Sequence, residues 1–488
     1  MDIYHVKHDE VMKGDEPFTV TTSDVVGSTS LQLMVQLIDQ RKSIAISGNA
    51  GSGKSHLLRE FIIYARKETD WRIRVTAPTG IAAFNVEGET IYRALGLGLA
   101  TDNMVHIWHK IHFAEVGFKS GKKRKRGQPT PKEPPYAQTL SFLRDTDILL
   151  IDEAYMLNSN FFISLDYFAR QARNHKGIPF GGLQLVLVGD AAQLGPVNPP
   201  ANYPFIFNTE TFTHLPLARI HLCHNYRQRD NAEFLDLLNA VRFGEVNADH
   251  IALIRSRMVP SPPDMHIVHM YCRREEVDDY NDSRLEQLLE KGAVKHHFPA
   301  NYQIVLKKKY EDLPKKDPKE VATAQQRLID AKFLSENLMV QEVTCCIGAQ
   351  MMVRTNFYFD SGLFNGSLVE VISIQEDTIK VKSLQGQEFV IAPVIYKVPV
   401  TKTLDITLKQ FPLCLAWAIT IHKSQSLTLP YIKVDLSKCF CAGQAYVALS
   451  RATNLNGVFI TGFNPSSILT DQTAVKFEKL SNPYEKKK

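Results

Sequence analysis

Long apolar runs are missing from this chain of 488 residues. None approaches the roughly 20 residues needed to cross a bilayer, so no membrane-spanning role is expected. The opening stretch, MDIYHVKHDEVMKGDE, is acidic and has no apolar centre of the kind a secretory leader needs. Cysteine is sparse: Cys223, Cys272, Cys345, Cys346, Cys414, Cys439 and Cys441 are odd in number and include no C-x-x-C. That pattern excludes a disulfide framework and a zinc ribbon, and it points to a reducing, intracellular setting. An excess of one charge is lacking too: 57 Lys+Arg stand against 52 Asp+Glu, a net +5. Such a balance permits a polyanionic partner without demanding one, so local charge must decide. No repeat at solenoid periods is visible.

What is present is the composition of a globular protein, 44% hydrophobic and 22% charged, with room for two or three domains. From Ser43 to Gly189, the short apolar runs SIAIS, IRVTA, DILLID and LQLVLVG alternate with amphipathic stretches such as FFISLDYFARQAR. This alternation predicts an α/β fold in which helices wrap a parallel sheet. A second such unit is expected from residue 218, with RIHLC, AEFLDLLNAVRFG and HIVHMYC, resuming after residue 400. Between them, residues 299–400 turn to Lys-rich loops and alternating runs such as TIKVKS, with the hairpin dipeptide Asn365-Gly366, and predict a small β-rich insertion. The resulting map is a tail at 1–24, a first domain at 25–217, a second at 218–298 and 401–470 around the insertion, and a tail at 471–488. Residues 119–135, KSGKKRKRGQPTPKEPP, read as a solvated, disordered loop inside the first domain.

The strand SIAIS runs straight into GNAGSGKS, which satisfies G-x-x-x-x-G-K-[ST] in the strand–loop–helix context that the motif requires. Glycines let the backbone wrap phosphates, whose charge is met by amide N–H groups and a helix N-terminus. Lys54 would reach the β and γ phosphates and Ser55 would ligate Mg²⁺. The nucleotide-binding candidates are therefore Gly48, Asn49, Ala50, Gly51, Ser52, Gly53, Lys54, Ser55 and His56. The run ILLIDEA then ends an apolar strand with Asp152 and Glu153. Adjacent strand-end residues point different ways, so one carboxylate can hold Mg²⁺ through its water shell while the other accepts a proton from the attacking water. Alone, such a pair would be a solvated cap; after a phosphate loop in the same sheet it reads as catalytic. A third strand ends LVLVGDAAQLGPV, placing Asp190 and Gln193 where a γ-phosphate would be sensed. Arg227 in NYRQRD and Arg451 in YVALSRAT are candidate arginine fingers.

In order along the chain, GNAGSGKS, VTAPTGIAAFNVEGETIYRALG, LLIDEAYML, LVLVGDAAQLGPV, NYRQRDNAEFLDLLNAVRFG, IGAQMMVRTNFYFDSGLFNGSLVEV, FPLCLAWAITIHKSQSLTL and GQAYVALSRAT resemble the petite-integration-frequency (Pif-type) DNA helicases of superfamily one, relatives of RecD. The resemblance implies two RecA-like domains with ATP between them, a small β-barrel at the insertion, and ATP-driven 5′ to 3′ movement on single-stranded DNA in replication, repair or recombination. It implies ATP and Mg²⁺ as cofactors, with Ser55 and Asp152 as the metal-site residues and Lys54, Asp152, Glu153, Gln193, Arg227 and Arg451 as the catalytic set. It also implies Gln32 at the adenine. For nucleic acid it points to Pro78, Thr79 and Gly80, and to Thr420, His422, Lys423, Ser424 and Gln425 in TIHKSQ, with Phe84 and Tyr92 as stacking candidates. Short polar donors at strand-to-helix turns grip phosphates without reading bases, and aromatic stacking is sequence-tolerant. Expected partners are single-stranded DNA and DNA forks, with replication proteins as further candidates, for a monomer that does not engage membranes. Alternatives are a translocase that does not separate strands, an RNA-preferring helicase, or a replisome scaffold with a vestigial pocket.

The chain departs from the family pattern at Tyr92 for His, Tyr155 for Ser, Gly195 for Pro and Ser426 for Gly. At Ser426 a Cβ stands at a position that tolerates positive φ, which is costly and puts the backbone geometry of this loop in question. Two signals are set aside. His106, His109 and His112 share a helical face without a nearby Cys or carboxylate, which does not make a metal site. The KKRKR run reads first as a solvated insertion, with a nuclear localisation signal as the alternative, and a nucleus or viral replication site would suit the whole.

Overall fold

The computed structural model describes residues 19–22, 28–95, 137–262, 266–306, 317–329, 342–355, 363, 366–399 and 404–481. The basic loop at 119–135, the three histidines of VHIWHKIH and Asn365 lie outside the described residues. The chain forms two compact units: residues 1–250, 440–450 and 468–488, and residues 251–439 and 451–467.

The first unit is built on seven strands: β1 (Thr19–Thr22), β2 (Ser43–Gly48), β3 (Ile73–Ala77), β4 (Glu89–Thr90), β5 (Ile148–Ile151), β6 (Gln184–Val188) and β7 (Leu217–Leu222). They form one parallel sheet in the order β1-β7-β2-β6-β5-β3-β4. The central strands β5 (ILLI) and β6 (QLVLV) read as near-continuous apolar runs because both faces are covered. Ile44 and Ile46 of β2 enter one core with Leu57, Leu58 and Phe61 of the helix Lys54–Glu68, whereas Ala45 enters the other with Phe162, Leu165 and Phe168 of the helix Ser159–Ala172. That split is the period-two alternation of a strand, and each fully buried Leu or Phe contributes about 1.5–3 kcal/mol.

The seams differ from the expected map: residues 218–250 and 440–450, expected in the second domain, fall in the first unit. RIHLC forms β7, which pairs with β2 from Ser43↔Leu217 to Gly48↔Leu222, and so completes the first sheet rather than starting the second. Residues 19–22, expected in a tail, add strand β1 beside β7. Residues 472–481, also expected in a tail, form a helix that belongs to the first unit and buries Ala474, Val475, Phe477 and Glu478. Strand order in a parallel sheet is set by crossovers, which sequence periodicity does not encode.

The second unit carries a parallel sheet of β8 (Val268–Tyr271), β14 (Ala418–Thr420), β15 (Ile432–Asp435) and β16 (Val458–Gly462), in the order β14-β8-β15-β16. The β-rich insertion is present. Its main sheet is antiparallel, β12-β11-β10-β9-β13, from β9 (Gln350–Val353), β10 (Leu368–Ile374), β11 (Ile379–Ser383), β12 (Glu388–Ile391) and β13 (Leu413–Leu415). Strand β13 lies beyond residue 400, so the insertion runs further than expected. Its core gathers Val343, Met351, Val369, Val371, Val381 and Leu413.

Candidate active site

The glycine-rich segment joins β2 to the helix Lys54–Glu68. Gly51 and Gly53 adopt φ of +83° and +86°, the left-handed region that favours glycine. Space imposes the same choice: a Cβ on Gly48 would stand 2.6 Å from the Leu222 carbonyl oxygen, and one on Gly51 2.7 Å from Arg227 Cβ. Gly53 opens the helix with no side-chain cap, which leaves the first amides and the positive end of the helix dipole facing the loop, as a phosphate requires. Lys54 Nζ donates to the carbonyl oxygens of Gly48 at 2.6 Å and Asn49 at 2.9 Å. Burial pulls its pKa below the ordinary lysine value against the opposing charges of Asp190 and Glu153.

The loop is braced from behind by the segment after β7. Asn225 Nδ2 donates to Ala50 O at 2.9 Å, the Tyr226 amide donates to Gly51 O at 2.9 Å, and Asn49 Nδ2 donates to Asn239 Oδ1 at 2.7 Å. Ser47 Oγ lies 2.9 Å from His221 Nδ1, and burial drives the His221 pKa down to about 3, so this imidazole is neutral.

Asp152 and Glu153 follow β5 and are both buried. Glu153 sits at φ +51°, ψ +39°, a left-handed conformation uncommon outside glycine and of the kind found at functional sites. Its amide donates to Asp152 Oδ1 at 3.0 Å. Burial, then the neighbouring Glu153 charge, pushes the Asp152 pKa up to about 7, and Lys54 and Arg59 offset this only in part. A buried carboxylate in that state calls for a cation, so Asp152 fits a place beside a divalent metal.

At the tip of β6, Gln193 Nε2 donates to Asp190 Oδ2 at 3.3 Å. Asp190 Oδ1 accepts from Arg242 at 2.8 Å, and Asp190 Oδ2 accepts from Tyr446 Oη at 3.2 Å. Tyr446 Oη in turn accepts from the Ala50 amide at 2.9 Å, closing a path from this turn to the phosphate loop. Arg242 also donates to Glu478 Oε2 at 2.7 Å. Burial alone would raise the Asp190 pKa, but Arg242 and Lys54 bring it below the ordinary carboxylate value. Asn225, Arg242, Tyr446 and Glu478 escaped the sequence reading. Arg242 and Glu478 did leave a signal, a charge within an otherwise apolar helical stripe, which in a folded chain requires a partner.

Arg227, which was expected in the second domain, lies in the first unit, where Nη1 donates to the Ser450 carbonyl oxygen at 2.8 Å. Arg451 lies in the second unit, buried, with Nη1 donating to Ser424 O at 3.4 Å. Gln32 is exposed on the helix Ser28–Asp39. His56 is exposed near the start of its helix, 3.5 Å from Glu60.

Of the nucleic-acid candidates, Pro78, Thr79 and Gly80 are half-buried where β3 meets the helix Gly80–Asn85, and Thr79 Oγ1 accepts from the Ala82 amide at 3.2 Å. The Phe84 side chain lies outside the described residues. Tyr92 packs edge-on against Phe161, ring centroids 4.8 Å apart, and burial pushes its phenol up to about 12, so this ring is committed largely to the core. In the second unit Thr420 caps the short turn His422–Ser424 by accepting from the Lys423 amide at 3.1 Å. His422 and Lys423 are exposed, Ser424 and Gln425 are buried, and among the described residues Gln425 Nε2 has no hydrogen-bond partner. Ser426 takes φ +67°, the left-handed conformation in which a Cβ is costly. Among the described residues no cluster of three His, Cys, Asp or Glu could hold a metal.

The PIF1-like helicase family matches residues 133–251. The ATP-dependent DNA helicase PIF1 of Emericella nidulans is 31% identical, covering 90% of this chain and 61% of that protein. Over most of its length the chain is similar to PIF1 helicases. The ATP-dependent DNA helicase Pif1 of Bdellovibrio bacteriovorus is 28% identical over 91% of this chain and 90% of its own length. The crystal structure of Pif1 helicase from Candida albicans superimposes with a TM-score of 0.70 at 27% identity, covering 93% of this chain and 99% of that one. A Bacteroides Pif1 helicase in complex with ADP-AlF3 and single-stranded DNA gives a TM-score of 0.59 at 26% identity, covering 93% and 97%. The two-domain, RecA-like architecture expected from the sequence is therefore shared with these Pif1 helicases, and the chain spans 61% of the length of the Emericella nidulans relative.

Proposed function

We propose that this chain is an ATP-dependent DNA helicase that moves 5′ to 3′ along single-stranded DNA and opens forks during replication, repair or recombination. The observation that carries the reading is convergence. Lys54, the Asp152–Glu153 pair and the Asp190–Gln193 turn stand at the carboxyl ends of β2, β5 and β6 of one sheet, where parallel α/β sheets bind ligands. The names of the relatives add DNA and unwinding to a site that by itself speaks of phosphates.

In this reading the loop amides and Lys54 hold the phosphates, Ser55 and Asp152 hold Mg²⁺, Glu153 takes the proton of the attacking water, and Gln193 meets the γ-phosphate. The metal supplies charge neutralisation at the transferring phosphoryl group when bound. Arg227 and Arg451 add positive charge, Gln32 reaches the adenine, and the turns at Pro78–Gly80 and Thr420–Gln425 grip the DNA backbone. Gripping through phosphates makes binding sequence-blind and salt-sensitive, with a log–log slope near −0.7 per phosphate neutralised on single strands. Among the described residues no helix is long and apolar enough to cross a membrane. The test is unwinding of duplexes bearing a 5′ or a 3′ single-stranded tail, with ATP and Mg²⁺. Opening of the 5′-tailed substrate supports the reading, opening of the 3′-tailed one alone overturns the polarity, and hydrolysis without strand separation favours a translocase.

A further inference from the structure

The helix Gln472–Ser481 follows every motif assigned above, yet it places a carboxylate inside the nucleotide unit. Glu478 is fully buried: Oε1 accepts from the Ala191 amide at 2.7 Å and Oε2 accepts from Arg242 at 2.7 Å. Arg242 spans to Asp190 Oδ1, and Asp190 holds both the Gln193 side chain and Tyr446 Oη. Docking of this helix does not explain the carboxylate. Phe477 already anchors it, stacked on Phe207 with ring centroids 4.0 Å apart and planes 9° apart, beneath the Arg219 guanidinium at 4.6 Å. Burying a carboxylate costs several kcal/mol unless hydrogen bonds and countercharge offset it. Here one oxygen is spent on the turn that presents Gln193 and the other on Arg242, the arginine that pairs with Asp190 of that turn.

Resting on the reading of this unit as an ATPase, we propose that Glu478 is a positioning residue that acts through Ala191 and Arg242 to hold the Asp190–Gln193 turn where it meets the γ-phosphate. The residue binds no nucleotide itself. Its effect is on how the turn is held when the phosphoryl group transfers, and therefore on kcat rather than on adenosine or β-phosphate binding.

The test is Glu478→Gln in the full chain. The substituted amide keeps an acceptor for Ala191 but turns a donor toward Arg242, which still pairs with Asp190, so no lone buried charge results. We expect a roughly 10- to 100-fold fall in kcat for ATP, the scale of a misplaced catalytic group, with KM little changed. Binding gives a readout independent of turnover: affinity for ADP stays near wild type, while the added affinity for ADP with aluminium fluoride, which occupies the γ-phosphate position, falls by about tenfold or more. Lys476→Ala, exposed on the same helix, is the control. Wild-type kcat and an intact aluminium fluoride increment in Glu478→Gln overturn the proposal, as does a parallel loss of both affinities together with melting temperature, the signature of a merely structural helix. If the wild type shows no turnover, the ATPase reading fails, and the binding comparison still decides the role of Glu478.

Discussion

The Lys54 ammonium donates to the carbonyl oxygen of Gly48 at 2.6 Å, so the lysine that would meet a phosphate is bonded to the very loop it serves. These bonds are local, and a phosphate replaces them with a charge-assisted interaction. Lys54→Ala is expected to keep the fold, with a stability change within about 1 kcal/mol, because net hydrogen-bond contributions are of that size. Unwinding should be lost. Circular dichroism melts beside a forked-duplex assay check both halves, and wild-type unwinding by the variant would remove Lys54 from the mechanism.

Asp152 links the site to pH. Its folded pKa is raised to about 7 by burial and by the Glu153 charge, above the ordinary carboxylate value. For a raised pKa, the stabilising contribution is complete below the unfolded value and is lost as pH rises through the folded one. Asp152→Asn should therefore melt at a higher temperature than wild type at pH 8 in the absence of nucleotide and divalent cation, by at most about 4 kcal/mol of stability. The gap should close as pH falls toward 4. Equal melting temperatures at both pH values would contradict the assigned shift.

Ser426 stands at φ +67° in the turn after the TIHKSQ segment. A left-handed non-glycine residue costs roughly 1–2 kcal/mol, and glycine gives back part of this in unfolded-state entropy. Ser426→Gly is expected to stabilise the chain by about 0.5–1 kcal/mol, read as a higher denaturation midpoint in urea. A lower midpoint would mean that serine contacts outweigh the backbone strain.

Much of the proposed nucleotide site was legible as local structure because its chemistry fixes local spacing. Gly48, Gly51 and Gly53 announce a backbone that wraps an anion, and Asp152–Glu153 marks a strand tip. The strain at Ser426 was legible only through resemblance, where glycine is the usual residue. The Arg242–Glu478 ion pair was not legible as a pair, since its members lie 236 positions apart and each alone is only a charge in an apolar stripe. The placement of β7 in the first sheet was hidden for a related reason. An apolar run declares that it is a buried strand, and its neighbours are decided by crossovers.

The central claim is that this unit hydrolyses ATP under the control of single-stranded DNA, with Glu153 as the base. Steady-state hydrolysis by the purified chain, with and without single-stranded DNA, beside Glu153→Gln, tests it most directly. The account predicts strong stimulation by DNA in the wild type and a loss of about 10²- to 10⁴-fold in the variant, the range for removing a general base. Hydrolysis indifferent to DNA, or a Glu153→Gln variant as fast as wild type, would contradict it.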